Sequence, residues 1–326
     1  MDTRLTILRE VALAWALAAS ACGGARKTDG GEVEETPAPA VVPTGPAPTS
    51  PSGGASALVQ WLDPDAIAVA WVALPPGLDT DTFATVFAMP PKAAQLISDV
   101  AEIDAALDAV LPEGGAEPST WFGPASLAMS TRFGVGTYVL RRLVTPKDTV
   151  KAALLGVRMR EQEVDGFVML VPDGPLPFRV VFLGDDTVAF IPAREIGSGL
   201  GPLTAGRDLP AGTTERELVK VLEESPDAPL ELYATGPLLH FDLGDDIVQF
   251  AVRARKWQDG LDVQVRIAPD GDAAAAASTL EARDVALETD AVRALCKRVA
   301  FTVDGTFVEG RLQLTREDLT TLTVAR

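Results

Sequence analysis

His240 is the only histidine in 326 residues, so any chemistry that needs an imidazole falls to it. It sits in Leu238-Leu239-His240-Phe241, between apolar neighbours, at a strand or loop edge. A Ser-His-Asp arrangement needs a serine within reach of that ring. No serine stands in a G-x-S-x-G elbow, and no Ser-x-x-Lys occurs. One histidine also excludes H-E-x-x-H and multi-histidine metal sites. Paired carboxylates are the other source of acid–base or calcium chemistry. Leu-Gly-Asp-Asp occurs at 183–186 and again at 243–246, each time ahead of an apolar run. Gly and Asp are also the residues that turn a chain into a strand, and that account suffices. Asp79-Thr80-Asp81-Thr82 and Pro269-Asp270-Gly271-Asp272 fall short of a calcium loop. The glycine-rich stretch Gly197 to Gly206 invites a phosphate-binding reading, but Pro202 stands where a G-x-G-x-x-G fingerprint needs glycine, and no lysine follows. No residue is therefore assigned a catalytic, cofactor-binding or metal-ligating role, and no cofactor is expected.

The one position given a role is Cys22. Val11 to Ala21 is an uncharged run of 11 residues behind a weakly basic start with Arg4 and Arg9. That is too short to cross a bilayer and fits the apolar core of an export signal. Ala19-Ser20-Ala21 then precedes Cys22 and Gly23-Gly24. These residues suit ordinary signal peptidase, and they also resemble the lipobox of bacterial lipoproteins, in which small residues precede a cysteine that is acylated. Leucine usually stands three residues before that cysteine, where this chain has Ala19. The resemblance covers the first 24 residues and implies a location, not an activity. Without acylation, Cys22 would be free to pair with Cys296, the only other cysteine.

Behind Cys22 comes a segment that cannot build a core. Glu32, Glu34 and Glu35 are followed by prolines at 37, 39, 43, 46, 48 and 51. Proline removes backbone donors and favours extended polyproline II. About 30 such residues reach on the order of 90 Å when extended. The chain carries 28 Lys+Arg against 46 Asp+Glu, a formal net charge of −18. That balance repels phosphate backbones and anionic lipid, so nucleic acid is not an expected partner.

The remaining residues read as strands and helices. Ala66 to Leu74 is a continuous apolar run between prolines, as in a strand buried on both faces. Ala93, Leu96, Ile97, Val100, Ile103, Leu107 and Val110 share one face of a helix opened by Pro90-Pro91. Ala125–Ser130 and Gly136–Leu143 form a strand pair, and Thr145-Pro146 opens a helix to about Leu155. Phe167–Val171, Phe178–Leu183 and Thr187–Pro192 follow as strands. Thr214 and Glu217 have the spacing of a capping box for a helix ending near Glu224. Leu230–Thr235 is a strand, and Ile247–Ala268 is a hairpin turning at Asp259-Gly260. Helix then runs from about Ala273 to Lys297, broken near Glu288-Thr289, before a last hairpin at Asp304-Gly305. Both halves read strand, helix, hairpin, helix, hairpin. The expected fold class is α+β: antiparallel sheets with helices packed on one face, in two tandem similar units. The expected layout is a signal at 1–21, lipid anchor and proline-rich linker at 22–56, a first unit at 57–184 and a second at 185–326.

Asp63-Pro64-Asp65-Ala66 leading into an apolar strand, and Val303-Asp304-Gly305 continuing to Glu317-Asp318-Leu319, resemble the openings and closings of repeated units in exported bacterial proteins of unknown function. The resemblance would span about Ala57 to Arg326 and brings no catalytic residue with it. The expectation is a non-enzymatic lipoprotein of the outer membrane. It would be held by lipid on Cys22 and bind another envelope protein. The alternatives are a secreted soluble form, an envelope hydrolase using Asp/Glu carboxylates, and a carrier of an apolar ligand.

Overall fold

In the computed structural model, the residues described are 58–63, 65–75, 77–110, 118–131, 137–174, 176–192, 200–205, 218, 228–243, 245–283 and 289–323. Residues 51–326 form one compact unit. Among the described residues its centre is one antiparallel sheet of 12 strands. In chain order these are β1 (Ala66–Val72), β2 (Phe122–Thr131), β3 (Thr137–Leu143), β4 (Met159–Val164), β5 (Phe167–Pro172), β6 (Phe178–Phe182), β7 (Thr187–Pro192), β8 (Leu230–His240), β9 (Asp245–Trp257), β10 (Gly260–Pro269), β11 (Ala300–Asp304) and β12 (Phe307–Leu314). Across the sheet they lie in the order β11-β12-β10-β9-β8-β1-β2-β3-β7-β6-β5-β4. The helices whose bounds lie among the described residues are α1 (Thr80–Val86), α2 (Pro91–Val110), α3 (Pro118–Trp121), α4 (Lys147–Gly156), α5 (Gly201–Ala205), α6 (Ala273–Ala282), α7 (Asp290–Arg298) and α8 (Arg316–Thr321).

The fold class holds as mixed helix and strand around an antiparallel sheet. Strand texture follows from what covers each face. On β1, Ala68, Ala70 and Val72 join the larger apolar cluster with α2, while Val69 and Trp71 join a smaller one on the opposite face. Both faces are covered, so the run is apolar throughout. On β10, Leu261, Val263, Val265 and Ile267 are buried, whereas Gln264 and Arg266 are exposed. Only one face is covered there, and the residues alternate. Helices therefore dominate one face, but the other is not bare. Leu58, Trp61, Leu62, Leu200, Leu203 and Leu218 cover β1, β2, β3 and their neighbours on that side.

One row of paired residues crosses the whole sheet: Ala300, Arg311, Gln264, Arg253, Glu231, Trp71, Leu127, Leu140, Ala189, Val181, Met169 and Gln162. Its character changes between Glu231 and Trp71, at the β8/β1 seam. From Arg311 to Arg253 the row is polar and at least partly exposed; from Trp71 to Met169 it is apolar and buried, ending in the exposed Gln162 of the edge strand.

The expected division at residue 184 does not coincide with a break in the sheet. Thr187–Pro192 was expected to open a second unit, but as β7 it pairs with β3 and β6 and completes the first run of strands. The strand opening the later run is β8. The long hairpin also turns one residue earlier than its Asp-Gly suggests. Trp257 pairs with Gly260, leaving Gln258 and Asp259 in the loop, with Gln258 at φ +52°. Gly260 serves a different purpose: a Cβ there would lie 1.9 Å from the carbonyl oxygen of Leu314. The hairpin at Asp304-Gly305 forms as expected, with Gly305 at φ +61°. The proposed helix from Thr214 lies outside the described residues except for Leu218, which is buried.

Candidate functional site

The corner between α1 and α2 and the tip of the β8–β9 hairpin meet in the fold. Asp79 caps the start of α1, its side chain accepting hydrogen bonds from the backbone N–H of Asp81 and Thr82. The helix ends with Ala88 N–H donating to the Thr85 carbonyl at 3.2 Å and Met89 N–H donating to the Ala84 carbonyl at 2.9 Å. This is the two-bond closure that normally places glycine in the left-handed region. Here Ala88 occupies it, at φ +49°.

Such a helix end leaves carbonyls without partners inside the helix. Two side chains from the later half of the chain supply them. His240 Nε2 lies 2.6 Å from the Ala88 carbonyl oxygen and donates to it as the Nε2–H tautomer. Arg283, just past the end of α6, donates through its guanidinium to the Val86 carbonyl. The same guanidinium stands 4.0 Å from Asp242 and over the Phe301 ring. His240 is buried, and its Nδ1 finds no partner outside its own residue. Burial holds the imidazole below its ordinary range; the Ala88 carbonyl and Asp242 pull the other way, and Arg283 reinforces the lowering.

This clamp fixes what flanks it. Along the end of β8, Leu238 and His240 are buried while Leu239 is 52% exposed and Phe241 is 74% exposed. Val248, near the start of β9, is 48% exposed. Within β8 the alternation is that of a strand, so pinning His240 inward displays Leu239 outward, and the exposed Phe241 follows in the turn beyond the strand.

A second polar cluster lies at the seam where the sheet face changes character. Glu231 is fully buried beside Trp71, its pairing partner on β1. Its Oε2 accepts from Arg253 Nε at 3.0 Å and from the Tyr233 hydroxyl at 3.3 Å, while Oε1 has no partner. Burial pushes the Glu231 carboxyl above its ordinary range, and the Arg253 guanidinium only partly offsets it. The phenol of Tyr233 is raised by burial and by Glu231.

The residues singled out in the sequence are otherwise dispersed. Cys22 lies outside the described residues. Cys296 is buried on α7. Leu183–Asp186 forms the turn between β6 and β7, with Asp186 accepting a hydrogen bond from Thr187. In the second Leu-Gly-Asp-Asp, Asp245 and Asp246 begin β9. Asp79 and Asp272 are helix caps. Of the glycine-rich stretch, residues 200–205 are described; they carry α5 and the buried Leu200 and Leu203. Among the described residues no group of three His, Cys, Asp or Glu side chains is placed to hold a metal ion. Arg283 and Glu231 were not singled out by sequence. The one available signal for Glu231 was a charge in Leu230-Glu231-Leu232, at an outer-face position of a strand whose inner face is apolar.

No family model and no curated protein matches the chain. Among solved structures, it is similar to crystal form III of a protein designated TP0453, at 9% identity with a TM-score of 0.42, covering 81% of this chain and 97% of that one. Crystal form I of the same protein aligns at 8% identity with a TM-score of 0.43, over 82% of this chain and 97% of that one.

Proposed function

We propose that the chain is a non-enzymatic interaction module of the cell envelope. It would be exported, held to the outer membrane by lipid on Cys22, and carried on the proline-rich segment behind it. The observation that supports a binding role is the clamped hairpin tip. Leu239 and Phe241 flank the buried His240 in sequence and are left in water, and Val248 on the facing strand β9 is exposed as well. Exposed apolar groups on one hairpin mark contact sites more often than scattered ones do, and an aromatic anchor is what a protein interface uses best.

The two runs of strands support reading the body as tandem copies of one unit, with the later copy opening at β8. The strands β1, β2, β3 and β8, β9, β10 each form a consecutive meander, and β7 and β12 each return beside the third strand. The antiparallel β1/β8 seam joins the two runs.

The test joins location to contact. Intact mass and detergent partitioning of the mature chain from its host should give a start at Cys22 with acyl mass. A photo-reactive residue at position 241 should then form a discrete protein adduct in native envelopes. One at Val144, an apolar position elsewhere that is 59% exposed, should not. Equal labelling from both positions would sink the binding reading, and an unacylated Cys22 would sink the tether.

A carboxylate hydrolase is the second reading. Glu231 and Asp63 both have carboxyls raised by burial, as an acid catalyst requires. That reading needs a pH–rate profile whose basic limb disappears in Glu231→Gln.

A further inference from the structure

The two ends of the sheet are unlike each other. At the β4 edge, Arg160, Glu161, Gln162 and Glu163 are all exposed, Arg160 pairs with Asp173, and Lys151 with Glu161. Charged side chains along an edge discourage another strand from adding there. The β11 edge, Ala300-Phe301-Thr302-Val303-Asp304, carries its one charge at its end, and Val303 is 47% exposed.

The register fixes which backbone groups of β11 are open. Its ladder with β12 runs from Ala300↔Arg311 to Asp304↔Phe307, closed by Gly305 and Thr306. The pair closing such a loop exchanges hydrogen bonds, and exchange then alternates along the ladder. Ala300, Thr302 and Asp304 therefore bond to β12, while Phe301 and Val303 aim their N–H and C=O away from it. Among the described residues no strand pairs with that side.

We propose that β11 pairs with β11 of a second copy of this chain, antiparallel about a two-fold axis through Thr302. This register is self-complementary, as a two-fold interface must be. Phe301 faces Val303 of the other copy, and the open N–H and C=O groups of both pairs meet. Thr302 faces its own counterpart in the intervening non-hydrogen-bonded pair. The threonine-on-threonine match is among those that stabilise neighbouring strands, while the Phe301 ring stays buried in its own copy against Gly310 of β12, so that pair contributes its backbone groups. One strand pair is small for a lasting interface, but α6 lies over β11 and β12 and widens the contact. Its exposed residues include Ala274, Ala275, Ser278, Thr279 and Ala282, small side chains that let a second helix approach. The proline-rich segment of the same chain is a poor rival occupant, because proline lacks the N–H that strand addition needs. The proposal does not depend on the hairpin tip.

Sedimentation of the full chain in mild detergent tests it. The chain should form a dimer that dissociates on dilution. Val303→Lys should be monomeric and unfold with the midpoint the parent shows when diluted to monomer, since that half-exposed side chain stands beside a neighbouring strand only in the dimer. With Cys22 replaced by Ala, Thr302→Cys should form an interchain disulfide on mild oxidation. The facing Cα atoms of such a pair are about 4.5 Å apart, within disulfide reach. Glu161→Cys on the opposite edge should not. A chain that stays monomeric at its highest soluble concentration overturns the proposal. So does a Val303→Lys variant that dimerises like the parent, or cross-linking that is equal at both edges. Should Val303→Lys fail to fold, the contrast between the two cysteine variants decides.

Discussion

His240 Nε2 meets the Ala88 carbonyl oxygen at 2.6 Å, across 152 residues of chain. The contact ties the β8–β9 tip to the end of α1, which Arg283 holds from a third direction. Replacing the ring with a methyl group strands a buried carbonyl and opens a cavity, so His240→Ala should cost about 3 kcal/mol in urea unfolding. The pH dependence has a definite sign. The folded imidazole is held below its ordinary 6.5 by burial, so the unfolded chain binds the proton more readily. Stability should be intact above 6.5 and fall as the pH drops below it. A chain carrying His240→Gln should lose that slope. An unchanged slope would mean that the ring is not buried as a neutral donor.

Arg253 and Glu231 differ in what each leaves behind when the other is removed. Arg253 is partly exposed and can turn to water, but Glu231 is fully buried. Removing the arginine leaves an uncompensated buried carboxylate, which costs more than losing the pair as a whole. Arg253→Ala should therefore destabilise by about 3 kcal/mol at neutral pH, and adding Glu231→Gln should recover most of it. Because burial raises the Glu231 carboxyl, its favourable contribution is present below its ordinary 4.5 and is lost as the pH rises through the folded value. The single variant Glu231→Gln should abolish that loss. A double variant no more stable than Arg253→Ala would show that the guanidinium, not its charge, supports the seam.

Much of the sheet was legible because burial wrote itself into the residue pattern. Ala66–Val72 is apolar throughout because β1 is covered on both faces, and β10 alternates because it is covered on one. The long helix α2 showed in its spacing for the same reason. Three features show what was not legible. The strand β4, Met-Arg-Glu-Gln-Glu-Val, is an edge whose exposed side chains carry no burial pattern. α1 is short, and its end lacks the glycine that usually marks it, since Ala88 takes the left-handed position and side chains from far along the chain supply its carbonyls. The third was the neighbour of β7: residues 187–192 read correctly as a strand, but pairing with β3 and β6 is long-range and leaves no local trace. The candidate site was hidden for a related reason. His240 was visible as a lone imidazole, but Ala88 and Arg283, which give it meaning, lie in unremarkable stretches.

Gly260 tests whether close approach, rather than turn geometry, governs the long hairpin. Its added Cβ would fall on the backbone of Leu314, which cannot rotate aside as a side chain would. Gly260→Ala should force β10 and β12 apart and cost more than about 3 kcal/mol, beyond the usual range for overpacking. Gly271 has open space around it and no left-handed φ. Gly271→Ala should be neutral or stabilise by up to about 1 kcal/mol, by restricting the unfolded chain. Equal effects at the two positions, measured by denaturant unfolding, would refute the contact.

Thr315 and Asp318 close the start of α8 as a reciprocal cap, and Arg298 from α7 binds the same carboxylate. The chain beyond α8 then reaches the start of α1: Asp79 N–H donates to the Leu322 carbonyl at 2.7 Å, and Leu322 is buried in the larger core. Thr315→Ala should cost about 1 kcal/mol, the ordinary value of a helix cap, and speed hydrogen exchange in both α8 and α1. Partial burial works to raise the Asp318 carboxyl, but the hydrogen bonds from Arg298 and Thr315 outweigh it and hold the group below its ordinary 3.8. Its contribution is present above that value and is lost as the pH falls through the folded one. Asp318→Asn should therefore narrow the gap in stability between neutral and strongly acid solution. Faster exchange confined to α8, with α1 unchanged, would show that the C-terminal segment docks independently of its cap.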